Sequence, residues 1–297
     1  MGTATKNPPA IEFRNVSLSF DEKRALSDIN LSLEPGQMIF ITGLSGSGKS
    51  VLLRLAIALE RPEKGEVFIE GRDVASLEED ELLDVRGRRM GMVFQEDSLF
   101  TGLSVYDNVA YRLDEHGVRE EETNKAVREV LQFVGLDREA EKLPSELSGG
   151  MRRRLEIARA LIGWPSIMLF DEPASGLDPL TAIQVLDLII RARDEYGISS
   201  LYVTKKLDEI PYLATHRATR SSGAVVIEET TSETTPNTRV IVLDGGRIVF
   251  TGSVAEFETS SLPAVTRLTH AQNETATLDL SPAELWNKRT QPVGPAL

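Results

Sequence analysis

The stretch GLSGSGKS, Gly43–Ser50, constrains this 297-residue chain more than any other. It stands between GQMIFIT, an unbroken apolar run typical of a strand buried on both faces, and VLLRLAIALE, a helical segment apolar nearly all round. Gly46 and Gly48 let the backbone curl so that successive N–H groups point at phosphate oxygens, and the helix start adds partial positive charge. The spacing G-x-x-x-x-G-K-[ST] between a strand and a helix predicts a site for the phosphates of a nucleotide. Lys49 is expected to reach the β and γ phosphates, and the Ser50 hydroxyl to ligate Mg2+. The expected nucleotide contacts run through Gly43, Leu44, Ser45, Gly46, Ser47, Gly48, Lys49, Ser50 and Val51.

A loop of this kind needs a second element, and IMLFDEP, Ile167–Pro173, supplies it. Alternate faces of a strand end give Asp171 and Glu172 separate tasks: Asp171 to hold the Mg2+ shell, Glu172 to polarise an attacking water. Between the two motifs, Ser148-Gly149-Gly150 opens an amphipathic helix, so its free N–H groups form another anion site. One chain with one phosphate loop has no use for it. Two chains arranged head to tail do, each closing the other's nucleotide. Arg152, Arg153 and Arg154, which follow, are expected on a solvated helix face.

The organisation is that of an α/β chain. SIMLFDE, PLTAIQVLDLIIRARDEYG and SSLYVT read as strand, helix and strand, with Asp178 capping the helix, Pro179 opening it and Gly197 ending it. IEFRNVSLSF alternates like a strand, with a slip around Asn15. Leu99–Leu147 shows only helical spacing, which predicts a helical subdomain inserted at about 99–150. AVVIEET and RVIVLDGGRIVFTG predict further strands, with a hairpin turn at Asp244-Gly245-Gly246. The expected boundaries are an N-terminal extension at 1–10, one core at 11–252, and a C-terminal extension at 253–297, docked or disordered.

Composition narrows the partners. With 33 basic and 46 acidic residues the surface is net negative, which disfavours nucleic acid. The chain has no cysteine, which suits a reducing compartment. Its N-terminus lacks the apolar segment of a secretory signal, and no apolar run reaches the roughly 20 residues of a membrane span, so work at a membrane requires another chain to cross it.

With the phosphate loop, Gln95 after RMGMVF, LSGGM, LFDEP and SGLDP in this order, the chain resembles ABC-type ATPase subunits over about Ile11–Gly252. The resemblance implies a P-loop NTPase core carrying an antiparallel β subdomain and the inserted helices. It also implies ATP and Mg2+ as ligands, Phe20 stacking on adenine, Gln95 joining Mg2+ to a transmembrane partner, and Asp178 communicating across a homodimer. VFQEDSLFTGLSVYDNVAYRLDEH and LPSELSGGMRRR are similar to the MlaF-like ATPases of MCE-type phospholipid transporters. That narrower likeness implies an MlaE-like permease, an MCE protein in the same complex, and a peripheral position on the cytoplasmic face of the inner membrane. It also implies that LPAVTRLTH and the tail lie near the dimer or a regulatory partner.

One position departs from the family pattern. After the strand following LFDEP the family normally has a histidine that contacts the γ-phosphate, and this chain has Lys205. A charged lysine donates but accepts no hydrogen bond, and beside Glu172 it favours the ionised carboxylate and weakens it as a base. Lys205 is therefore expected to act in catalysis as a phosphate sensor with attenuated turnover. Three function classes stay open: a transport ATPase, an ATP-gated clamp with weak hydrolysis, and a non-transport ABC ATPase.

Overall fold

The computed structural model describes residues 7–21, 23–221, 223–230 and 237–275. The chain opens with β1 (Ile11–Phe20) and β2 (Lys23–Leu33), paired antiparallel. Asn15 takes φ 50 and the pairing shifts there, so the buried set passes from Ile11 and Phe13 to Val16 and Leu18. That is a bulge: one extra residue re-aims the rest of the strand. β3 (Met38–Thr42) follows, buried at every position, then α1 (Lys49–Ala56), β4 (Lys64–Ile69), β5 (Arg72–Asp73), α2 (Glu79–Arg89) and β6 (Met90–Val93). β4 pairs with the free edge of β1, giving an antiparallel sheet of order β2-β1-β4-β5.

Three helices come next: α3 (Val105–Glu115), capped by Ser104, α4 (Glu120–Val134), ended by the left-handed Gly135, and α5 (Gly149–Leu161). They pack on one another through residues such as Val109, Val130 and Leu155. β7 (Ile167–Asp171), α6 (Pro179–Tyr196) and β8 (Ser199–Val203) form the expected strand-helix-strand unit, with Asp178 accepting from the Thr181 N–H and Gly197 at φ 65 closing the helix.

The chain then runs through α7 (Glu209–Thr215), β9 (His216–Ser221), β10 (Ala224–Glu229), β11 (Thr238–Asp244), β12 (Arg247–Gly252), α8 (Val254–Glu258) and α9 (Pro263–Thr275). β9 is a strand the sequence does not suggest. HRATRS lacks apolar alternation and is held as a strand by pairing with β10. Gly245 and Gly246, both at positive φ, turn β11 into β12. At the C-terminal end Val265 and Leu268 are buried, and Arg267 pairs with Asp244 at 2.5 Å, so LPAVTRLTH packs on the chain's own core. The tail beyond Thr275, residues 1–6 and most of the polar link at 231–238 lie outside the described residues.

The central sheet has the order β12-β11-β3-β8-β7-β6, parallel except for β12. It is covered on both sides, which is why its strands read as apolar runs: Met38 and Phe40 enter the core shared with α5 and α6, whereas Ile39 and Ile41 enter the one shared with α1. Registers Ile41↔Val203 and Asp171↔Val203 bring the carboxyl ends of β3, β7 and β8 to one level. A ligand site belongs outside such ends.

Candidate functional site

The loop after β3 is closed by steric necessity. Gly48 has φ 105, and a Cβ there would stand 2.7 Å from the Ala25 carbonyl oxygen and 2.7 Å from Leu26 Cδ2. Glycine is therefore the residue this corner accepts. Lys49 begins α1 with its side chain turned back over the loop, Nζ donating to the carbonyls of Gly43 at 2.8 Å and Leu44 at 3.0 Å. Burial lowers its pKa, and the nearby Lys205 charge lowers it further.

β7 delivers the carboxylates. Asp171 is buried, and burial raises its pKa against the opposing hydrogen bond with Ser50. Its Oδ1 has no protein hydrogen-bond partner among the described residues. Glu172 sits at φ 49, a left-handed backbone costing about 1–3 kcal/mol, and its N–H is fixed to the Val203 carbonyl at 3.0 Å. The Lys205 ammonium, just past the end of β8, lies 2.6 Å from Glu172 Oε1; the lysine side chain is 43% exposed and the glutamate 9%.

Together these groups line a cleft of about 690 Å3, walled by Phe20, Ser45, Gly46, Gly48, Lys49, Ser50, Val51, Gln95, Glu172 and Lys205. Gly43, Leu44 and Ser47 belong to the loop without lining the cleft, and Asp171 lies beneath it beside Ser50. Ser50, Asp171 and Gln95 offer only oxygen and amide donors, a set suited to a hard cation such as Mg2+, and the orphaned Asp171 Oδ1 leaves an acceptor for one. Lys23 and Arg24 also line the cleft. Sequence reasoning passed over them, although adjacent cations three and four positions after Phe20 in an acidic chain are a readable signal.

Other motif residues stand elsewhere. Ser148 caps α5 by accepting from the Met151 N–H at 3.2 Å, and Asp178 accepts from the Thr181 N–H at 3.1 Å. A Cβ on Gly150 would come 2.3 Å from Thr181 Cγ2, so the starts of α5 and α6 meet around that threonine. None of Ser148, Gly149, Gly150 and Asp178 lines the cleft of its own chain.

A family described as ABC transporter matches residues 26–175. This chain belongs to that family. The methionine import ATP-binding protein MetN of Bifidobacterium longum is 41% identical over 215 residues, 72% of this chain and 53% of that protein. MetN of Leifsonia xyli is 39% identical over 259 residues, 86% of this chain and 68% of that protein. The chain thus spans from about half to two thirds of the length of these relatives. A dimeric structure of a post-hydrolysis state of the ATP-binding cassette MJ0796, bound to ADP and Pi, superposes with a TM-score of 0.68 at 29% identity, covering 82% of this chain and 98% of that one. The fold is that of an ABC ATPase. These relatives are named for methionine import, so the narrower likeness to phospholipid transporters gains no support from them.

In this ABC cassette the expected solvated face of three arginines fails at Arg153, which is buried, while Arg152 and Arg154 stay partly exposed. Arg153 is buried against Glu156 at 2.6 Å and donates to the carbonyls of Phe94 at 2.8 Å and Gln95 at 3.2 Å; Arg154 donates to the Val134 carbonyl at 3.0 Å and Arg152 to that of Leu147 at 2.9 Å. The carbonyls they reach end local segments and lack ladder partners, and a guanidinium satisfies several such groups at once.

Proposed function

We propose that this chain is the ATP-hydrolysing subunit of a membrane transporter, working as a head-to-tail homodimer beneath a permease at the cytoplasmic face of the membrane. The observation that carries it is a division of parts: the phosphate loop, Glu172 and Lys205 share one cleft, while the capped start of α5 stands outside it. An exposed anion-binding helix end of this kind suits a nucleotide held by a second copy. That a similar cassette with ADP and Pi is dimeric supports the pairing of two copies.

The roles follow from position. Lys49 exchanges its carbonyl partners for the β and γ phosphates, and the loop N–H groups bind the phosphate oxygens. Ser50, Asp171 and Gln95 would hold Mg2+, which when bound offsets phosphate charge. Phe20, at the cleft rim, offers a face for the base. Glu172 orients and deprotonates the attacking water, and Lys205 donates to the γ-phosphate. Asp178, beside Ser148 through Thr181, joins the partner's site.

A clamp with weak hydrolysis is the second reading, favoured by the Lys205–Glu172 contact, which occupies the base. For cargo, the names of the relatives support methionine import as the first assay. Phospholipid transport with MlaE-like and MCE partners rests on two local stretches and is the second. The test of the main reading exploits the absence of cysteine. Ser45→Cys and Ser148→Cys copies should cross-link to each other with ATP and Glu172→Gln in place; failure to cross-link at saturating ATP with the permease present rejects the paired arrangement.

A further inference from the structure

We infer that Glu209 is a positioning residue: acting through Thr204, it fixes the turn that aims Lys205 at the carboxylate of Glu172. Glu209 is buried at the start of α7, and its Oε2 accepts from the hydroxyls of Thr204 at 2.7 Å and Tyr202 at 2.8 Å. Tyr202, near the end of β8, and Thr204, one residue past its end, are alternate residues whose hydroxyls meet the same carboxylate oxygen. Thr204 Oγ1 in turn accepts from the Lys206 N–H at 2.9 Å, a side-chain turn that brackets Lys205, while the Thr204 N–H is held by the Ile41 carbonyl at 3.1 Å. The Glu209 N–H donates to the Lys206 carbonyl at 3.2 Å and closes the loop from the other side.

Lys205 is thus bracketed by Thr204, whose hydroxyl is tied to the Glu209 carboxylate, and by Lys206, whose N–H is tied to Thr204 and whose carbonyl is tied to the Glu209 N–H. Its ammonium reaches Glu172, whose own backbone is fixed to Val203 on the same strand. A flexible lysine loses rotamer freedom when held to one partner, and a rigid backbone around it lowers the further cost of aiming it. Burying a carboxylate costs stability unless hydrogen bonds offset it. Both hydroxyls donate to Oε2 of Glu209, which is not among the residues lining the cleft.

This inference rests on the hydrolytic reading, and two measurements separate their failures. In the nucleotide-free full chain, acylation of Lys205 by a limiting amine reagent, followed by mass spectrometry, should speed up about fivefold in Glu209→Ala, with Lys206 little changed. A misaimed Lys205 no longer donates to the γ-phosphate, a loss that outweighs freeing Glu172. In the full complex Glu209→Ala should therefore lower kcat at least fivefold with KM for ATP within twofold of wild type, and Glu209→Gln should restore most of the rate. In a Lys205→Ala background Glu209→Ala should have no further effect on kcat. Thr204→Val removes the relay hydroxyl without touching the carboxylate and decides the matter where Glu209→Ala does not fold. Unchanged Lys205 labelling in Thr204→Val, or equal kcat losses with and without Lys205, overturns the inference. A wild-type complex without ATPase activity sinks the hydrolytic reading, and the labelling still decides the positioning role.

Discussion

Lys205, just past the end of β8, places its ammonium 2.6 Å from Oε1 of Glu172, which follows β7 on the neighbouring strand. The oxygen that would act on the attacking water is thereby engaged by an ammonium. A neutral imidazole donates from one nitrogen and accepts at the other, so Lys205→His is expected to raise kcat roughly tenfold or more, with little change in KM. Steady-state phosphate release by the full complex measures it, and equal rates would remove the idea that the lysine slows chemistry.

Glu172→Gln keeps the shape of the side chain and removes the base. Hydrolysis should fall on the order of 100-fold to 1000-fold while ATP binding persists. Retained radiolabelled nucleotide together with lost phosphate release is the expected pair of results; an unchanged rate would favour the clamp.

Lys49 already holds two carbonyl oxygens, so its loss affects both the loop and the nucleotide. Lys49→Ala should weaken ATP binding by roughly 10-fold to 100-fold, the worth of a charged hydrogen bond. Titration with a fluorescent ATP analogue checks this.

Arg153 and Glu156 form a buried pair that also holds two carbonyls. Removing one partner strands the other in a poorly solvated place, and Glu156 already has its pKa raised by burial. Arg153→Ala should destabilise the fold by about 3 kcal/mol, read from urea midpoints.

The Glu209 carboxyl is pushed up by burial to about 7 from an ordinary 4.5, opposed by Thr204 and Tyr202, with Asp208 raising it and Lys206 lowering it. A carboxyl raised on folding contributes its stability below the unfolded pKa and loses it as pH rises through the folded one. Wild type should therefore lose stability relative to Glu209→Gln by roughly 2–3 kcal/mol between about pH 5 and about pH 8. Parallel unfolding curves across that range would contradict the shift.

The sequence was readable where structure is local. The apolar run of β3, the loop glycines and the start of α1 are consecutive residues, and Asp178, Pro179 and Gly197 mark the ends of α6 by their own chemistry. It was opaque where a residue's fate is decided far along the chain. Arg153 looks like one of three surface cations until Phe94, 59 positions earlier, presents its carbonyl. The left-handed backbone of Glu172 is held by Val203, and β9 becomes a strand through β10. The cleft shared by Glu172 and Lys205 requires two strands to be laid side by side, a fact of register that motif spacing does not contain.

Arg153 stands one turn inside α5, the helix whose first residues carry Ser148 and whose guanidinium grips the peptide ahead of Gln95. The same short rod that carries the serine end also anchors the peptide on which the Gln95 amide, a wall of the chain's own cleft, is hung. In the facing pair proposed above, one element therefore borders both nucleotides.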